Sequence, residues 1–338
     1  MLISNKKKQG LVIILSFGLV ILTAMICLGI GRYSIPLSEV VEVIFSWLFG
    51  SGETGTAGTV IFKVRLPRVL LAIAAGAGLA CSGAAFQGLF SNPLATPDTL
   101  GVASGASFGA VLAMMLGGNL IVIQLFALAS GLVACGITYW ISRVKSQRSV
   151  IMIVLSGMVV SALFQAFVSL LKYLADPEDQ LPSITYWLLG SMSSVTYTNL
   201  MFGLPCIVLG ATIIFVLRWR LNILSLTEDE ARSMEVNIRV LRLLVIVASS
   251  LITASVVSMC GLVGWVGLLV PHIARMLMGS NNNSVIPLSL SLGAIFMLII
   301  DTAARSATAA EIPISILTAI IGAPFFIGLL RKTGGVWS

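Results

Sequence analysis

The stretch Arg218–Arg242, RWRLNILSLTEDEARSMEVNIRVLR, is the one long polar interruption inside a chain that is otherwise almost continuously apolar. Thr227 with Glu230 three residues on reads as a capping box, and Glu228, Asp229 and Glu230 place negative charge on a helix N-terminus. The stretch therefore predicts a short ordered helix that carries Arg232 between two apolar segments. Two readings are open: a solvated connection between membrane helices, or a docking element for a soluble partner on one face of a membrane.

Working outward, 58% of the 338 residues are hydrophobic and only 10% are charged. Soluble domains carry about a quarter of their residues as charge, so the chain is an integral membrane protein. Thirty-two glycines fit helices that approach closely through small side chains. A pI near 9.4 first suggests nucleic acid. The basic residues sit in short loops between apolar runs, however, where membrane orientation explains them and no nucleic-acid partner is implied. Cys27, Cys81, Cys135, Cys206 and Cys260 form no metal-binding spacing and read as small packing residues.

Lys6, Lys7 and Lys8 precede an apolar run, Leu11–Ile30, that is too long for a signal peptide and lacks a small-residue cleavage site. It reads as a first span. Residues 34–58 are too polar to cross and predict an interfacial connection. Further spans are predicted at Leu66–Phe90, from Gly101, and at Leu120–Ile141, Val150–Tyr173, Leu200–Leu217, Leu241–Met259, Val263–Met278, Val285–Thr302 and Ile312–Leu330. Ser183–Gly190 reads as a short interfacial helix after an acidic outer loop. The expected fold class is thus an all-α integral membrane protein with about ten transmembrane helices, both termini cytoplasmic, forming one domain over residues 1–338. This topology leaves fourteen of the twenty Lys and Arg inside and six outside: Arg32, Lys63, Arg65, Arg68, Lys172 and Arg305. That asymmetry obeys the positive-inside rule and makes the central stretch, between the sixth and seventh spans, cytoplasmic.

Acidic residues fall almost entirely in loops or at helix ends, which argues against the alternative of an ion-coupled secondary transporter. Asp301, one turn before Arg305, is read as half of an interfacial ion pair. No P-loop pattern GxxxxGK[ST] and no HExxH pattern occurs, so the chain is expected not to be an enzyme. Energy for moving a solute would come from a nucleotide-hydrolysing partner. His272, the sole histidine, has no second His or paired Cys to complete a metal site and reads as a packing or hydrogen-bonding residue.

Arg65-Leu-Pro-Arg68, Ser82-Gly83 to Gln87-Gly88, Asn92-Pro-Leu-Ala95 and Leu100-Gly101 together resemble the first signature of the FecCD-type permeases. The resemblance continues through Trp187-Leu-Leu-Gly190-Ser191, Leu226-Thr-Glu-Asp-Glu-Ala-Arg232, Gly267 to Arg275, Glu311-Ile-Pro313 and Gly322-Ala-Pro324, and so covers nearly the whole chain. These are membrane subunits of ABC importers for iron chelates, haem, cobalamin and, in some members, molybdate. The resemblance implies a multi-pass inner-membrane homodimer embedded in lipid. Two cytoplasmic ATPase subunits would hold ATP and Mg, no cofactor would sit on this chain, and an extracytoplasmic binding protein would deliver the solute, with ferric siderophore the leading expectation.

By position, the resemblance assigns coupling to the ATPase to Leu226, Thr227, Glu228, Asp229, Glu230, Ala231, Arg232 and Ser233. It assigns the cytoplasmic gate to Asn92, Pro93 and Leu94 with Ser149, Val150, Ile151 and Met152, and binding-protein docking to Arg65, Arg68 and Arg305. Two departures from the family pattern stand out. Glu235 replaces a common Gly near the end of the coupling helix, and the uncharged Asn281-Asn282-Asn283 replaces a charged segment. The arginines are doubly notable because the positive-inside rule disfavours them on the outer face. Read functionally, they form a cationic rim for partner carboxylates, since the planar guanidinium binds carboxylate through two parallel bonds. Read structurally, Arg65 and Arg68 reach to the interface and Arg305 pairs with Asp301.

Overall fold

A computed structural model describes residues 5–50, 55–142, 150–225 and 237–333. Among these residues there are only helices and connections. In chain order they are α1 (Lys6–Gly29), α2 (Leu37–Phe49), α3 (Gly55–Phe90), α4 (Val102–Met115), α5 (Leu120–Ile141), α6 (Val150–Leu174), α7 (Gln180–Leu188), α8 (Tyr197–Leu217), α9 (Ile238–Cys260), α10 (Val266–Met278), α11 (Asn282–Ser306) and α12 (Ile314–Thr333). Seven of them, α1, α3, α5, α6, α8, α9 and α11, are long and apolar enough to cross a membrane. α4 and α10, at 14 and 13 residues, are only about 20 Å long, short of a hydrocarbon core of about 30 Å. Each is completed by irregular chain, Ser91–Gly101 before α4 and Gly261–Trp265 before α10.

The helix at the centre is α3, which packs against α8, α9, α10 and α11. Together with α9 and α11 it is buried for most of its length, whereas α1, α5, α6 and α8 turn most of their surface outward. Small residues explain why α3 takes the centre. A Cβ on Gly76 would overlap the carbonyl of Gly293 on α11, and one on Gly83 would overlap the backbone of Gly267 on α10. Lipid is as apolar as leucine, so close backbone approach and its dispersion contacts hold such helices together.

Two local features correct the sequence reading. Residues 34–58 were expected to form one interfacial connection, yet only α2 has that character, with Val40 and Val43 buried. From Gly55 the chain already belongs to α3, eleven residues before the expected start at Leu66. The join is a π turn, Val60–Arg65, in which the Leu66 amide bonds to Ile61. Pro67 has no N–H to continue that register onto Phe62, and the Tyr197 hydroxyl donates to the Phe62 carbonyl instead, at 2.5 Å. The expected span from Val263 begins only at Val266, because Trp265 holds φ +70° and Gly261 φ +72°. Helix starts follow ordinary capping: Asn119, Thr196, Asn237 and Asn281 each accept a backbone N–H of the following turn.

Candidate functional site

Charged side chains gather at two ends of the bundle, and a cavity lies between them. At one end the C-terminal carbonyls of α1 meet two arginines. Arg65 donates to Leu28 O at 2.5 Å, to Gly29 O at 3.0 Å and to Tyr33 O. Arg305 donates to Ile30 O at 2.6 Å and to Cys27 O. Cations there complement the negative end of the helix dipole and satisfy carbonyls that lack intrahelical partners. Arg68 binds Asp301 through Nε at 2.7 Å and forks onto both oxygens of Glu311 at 2.8 Å. Arg305 also lies 3.6 Å from Asp301, the i,i+4 pair expected from sequence. That pair is not interfacial in the simple sense, since Asp301 is 2% exposed and bridges two arginines.

The residues expected to dock a binding protein, Arg65, Arg68 and Arg305, have partners inside the protomer. These residues are 4%, 7% and 8% exposed, and they donate to internal carbonyls and carboxylates. They do not form a free cationic rim. Glu311 also faces outward here, its side chain about a third exposed while Arg68 holds it, beside the exposed Arg32 that donates to Ala309 O. Sequence reasoning had listed Glu311 in a motif without a role. The signal it lacked was the pairing of an acid ten residues after Asp301 with an arginine 243 positions earlier.

At the opposite end, Arg275 of α10 donates to Gln87 Oε1 at 3.2 Å and to Ala84 O at 3.0 Å on α3, and reaches Asn282 on α11. The uncharged Asn281 and Asn282 supply polar contacts here. Asn281 caps α11 and accepts from Asn222, and the Asn282 amide donates to Asn222 Oδ1 at 2.8 Å. The polar stretch thus starts as a 3-10 turn, Arg220–Ser225, tied to the head of α11. The coupling residues Leu226 to Ser233 lie outside the described residues, as does Ser149.

Asn92, Pro93 and Leu94, the first stretch expected to gate, form a turn at this same end. Ser91 is left-handed at φ +47° and closes α3, and Asn92 Oδ1 accepts from the Leu94 amide at 2.9 Å. Asn92 and Leu94 are exposed, and so is Ile151 at the start of α6, with Met152 partly buried. The structure links the two gate stretches deeper in the bundle, where Pro97–Leu100 packs on α6 and a Cβ at Gly157 would overlap Thr99 O. Gly157→Ala is accordingly expected to push residues 97–100 off α6, by displacing backbone instead of a flexible side chain. An engineered disulfide between the connection and α6 should then form at least about tenfold more slowly. Unchanged crosslinking would show that the connection does not rest on α6.

His272 is buried on α10. Among the described residues no three His, Cys, Asp or Glu converge as metal ligands.

A many-helix bundle with glycine-packed central helices, charge gathered mainly at its ends and short helices completed by irregular chain has the architecture of a membrane permease subunit. The chain belongs to the FecCD transport family, whose model matches residues 19–332. It is 44% identical to the molybdate import system permease protein MolB of Haemophilus influenzae, over 93% of each chain. It is 36% identical to a Helicobacter pylori protein named as a probable iron chelatin transport system permease, over 94% of this chain and 97% of that one. Among solved structures it is similar to one described as an inward-facing metal-chelate type ABC transporter, with TM-score 0.86 and 42% identity, covering 95% of this chain and 99% of the other. The class is that of ABC transporter permeases, multi-pass membrane subunits whose ATPase is a separate polypeptide.

Proposed function

We propose that this chain is the permease subunit of a binding-protein-dependent ABC importer for a small oxyanion of the molybdate class. The observation that carries the solute is the 44% identity to the molybdate permease over 93% of both chains, against 36% to the iron chelatin permease. A ferric chelate, the leading expectation from sequence, is the second reading, favoured by the chelate-type name of the structural neighbour.

In this reading the single domain 1–338 has ten spans. The three shorter apolar helices Val102–Met115, Val266–Met278 and Ile314–Gly328 join the seven long ones. Both termini face the cytoplasm of a bacterial inner-membrane homodimer. Asn92–Leu94 and Ser149–Met152 gate the path on that side. Leu226–Ser233 couple it to two ATPase subunits that hold ATP and Mg, and a binding protein docks at the Glu311 end.

Proteoliposomes holding the chain with its cognate ATPase and binding protein are expected to import radiolabelled molybdate on addition of ATP, while the chain alone hydrolyses none. Import of a ferric siderophore without molybdate would install the second reading. ATP hydrolysis by the lone chain would overturn the division of labour.

A further inference from the structure

The 3-10 turn Arg220–Ser225, which leads directly into the rest of the central polar stretch, is fixed to the bundle in two ways. Leu221 and Ile223 are buried, and the turn packs on α3. Asn222 supplies the polar attachment. Its Nδ2 donates to Asn281 Oδ1 at 3.0 Å, and its Oδ1 accepts from the Asn282 amide at 2.8 Å. That amide is one of the N–H groups that the start of a helix leaves without an intrahelical acceptor, and the Asn281 side chain is already taken by the Asn283 amide at 3.0 Å. A side chain 60 positions earlier therefore completes the cap of α11.

Asn282 carries the attachment onward. It is 1% exposed and lies against α3, where a Cβ at Gly88 would sit 3.2 Å from its Nδ2. Its Oδ1 accepts from Arg275 Nη2 on α10 at 3.4 Å. The same Nη2 donates to Ala84 O at 3.0 Å, and Nε donates to Gln87 Oε1 at 3.2 Å, both on α3. Gln87 Nε2 returns to α10, donating to Leu268 O at 3.3 Å. Ala84 and Leu268 are the chain neighbours of Gly83 and Gly267, where the two helices meet backbone to backbone. Among the described residues Arg275 forms no ion pair, so its donors go to neutral oxygens.

α10 depends on such ties for its placement. It joins α9 through the irregular chain Gly261–Trp265 and stops at Gly279, φ +80°, so no continuous helix fixes its angle at either end.

We infer that Asn222, Asn282 and Arg275 form a side-chain relay that ties the entry of the central stretch to α3 and α10, with Arg275 a positioning residue for coupling between the ATPase and the transport path. The inference rests on the proposed coupling role of Leu226–Ser233 and names the side chains through which that role reaches the central helix. An amide suits position 222 because it donates and accepts at once, and both capacities are used.

Two measurements test the relay. In the full chain in nanodiscs, hydrogen exchange is followed at the amides of residues 220–225 and of the first turn of α11. Arg275→Gln is expected to speed exchange at both by about threefold or more, although Arg275 donates to Asn282 and not to the turn itself. In proteoliposomes holding the chain with its cognate ATPase, ATP hydrolysis is measured with and without the cognate binding protein and sodium molybdate. Asn222→Ala and Arg275→Gln are each expected to cut the stimulation by about threefold or more while hydrolysis without binding protein stays unchanged. The double variant is expected to lose no more than the weaker single, since both break one chain of contacts. Asn283→Ala, whose exposed side chain takes no part, is expected to match wild type, with the fold of every variant checked by thermal unfolding. Should Arg275→Gln fail to fold, Arg275→Lys stands in for it, keeping the charge without the fork that reaches Ala84, Gln87 and Asn282 together.

Unaltered exchange at residues 220–225 in the Arg275 variant, unaltered stimulation in either single variant, or additive losses in the double would overturn the relay and leave the proposed function standing. Wild-type hydrolysis that ignores the binding protein, with exchange spreading as expected, would remove the proposed function and leave the tie between turn and central helix in place.

Discussion

Arg68→Met is expected to lower the stability of the folded chain by about 3–5 kcal/mol, the loss typical when one partner of a buried ion pair is removed. The reason lies in what stays behind. Asp301 is 2% exposed and would keep only Arg305, at 3.6 Å, while Glu311 would lose both bonds of its fork. Arg68→Lys keeps the charge but cannot span Nε to Asp301 and both terminal nitrogens to Glu311 at once, so it should fall between the two. Replacing Arg68 by Met together with Asp301 by Asn and Glu311 by Gln should recover part of the loss, because both carboxylates orphaned by Arg68→Met are then neutral, while buried Arg305 keeps its carbonyl acceptors but has no counter-ion. Thermal or denaturant unfolding in detergent measures all three. A change below about 1 kcal/mol in Arg68→Met would place this cluster among weak surface pairs.

Gly83→Leu is expected to abolish the native packing of α3 on α10. A Cβ at Gly83 meets the carbonyl oxygen, carbonyl carbon and Cα of Gly267, and backbone has no rotamer with which to yield. Overpacked cores ordinarily lose about 1–3 kcal/mol, and a backbone collision sits at or beyond the top of that range. Gly136→Leu is the control, because nothing lies near its Cβ. The readout is recovery of monodisperse protein by size-exclusion chromatography after mild detergent extraction, with Gly136→Leu behaving as wild type. Equal recovery of both variants would mean that α3 and α10 do not touch through these glycines.

Much of the fold was legible because hydropathy and length speak directly about membrane crossing. The run Leu120–Ile141 is found with the bounds expected, and Leu66–Phe90 ends where Ser91-Asn-Pro predicts. What hydropathy could not register was backbone geometry. The π turn before Leu66 and the irregular chain before Val266 depend on Pro67, Gly261 and Trp265 in settings that tertiary contacts impose.

The site was legible unevenly. Charge placement singled out Arg65, Arg68 and Arg305 as unusual, and the i,i+4 spacing supplied Asp301 for Arg305, but Arg65 and Arg68 were left without partners. The α1 carbonyls that Arg65 and Arg305 bind, and the carboxylates that Arg68 reaches more than two hundred residues away, leave no local trace in sequence.

The arginine clasp on α1 also sets an order of assembly. Arg65 emerges from the ribosome soon after the carbonyls of Leu28 and Gly29 that it binds, but Arg305, which binds Cys27 and Ile30, is made some 275 residues later. The first helix to enter the bilayer therefore waits, with two carbonyls at its end unclaimed, until nearly all of the polypeptide has been synthesised. A chain that stops short of Arg305 has no guanidinium for the Cys27 and Ile30 carbonyls, so the last part of the polypeptide to be made completes the fastening of the first helix.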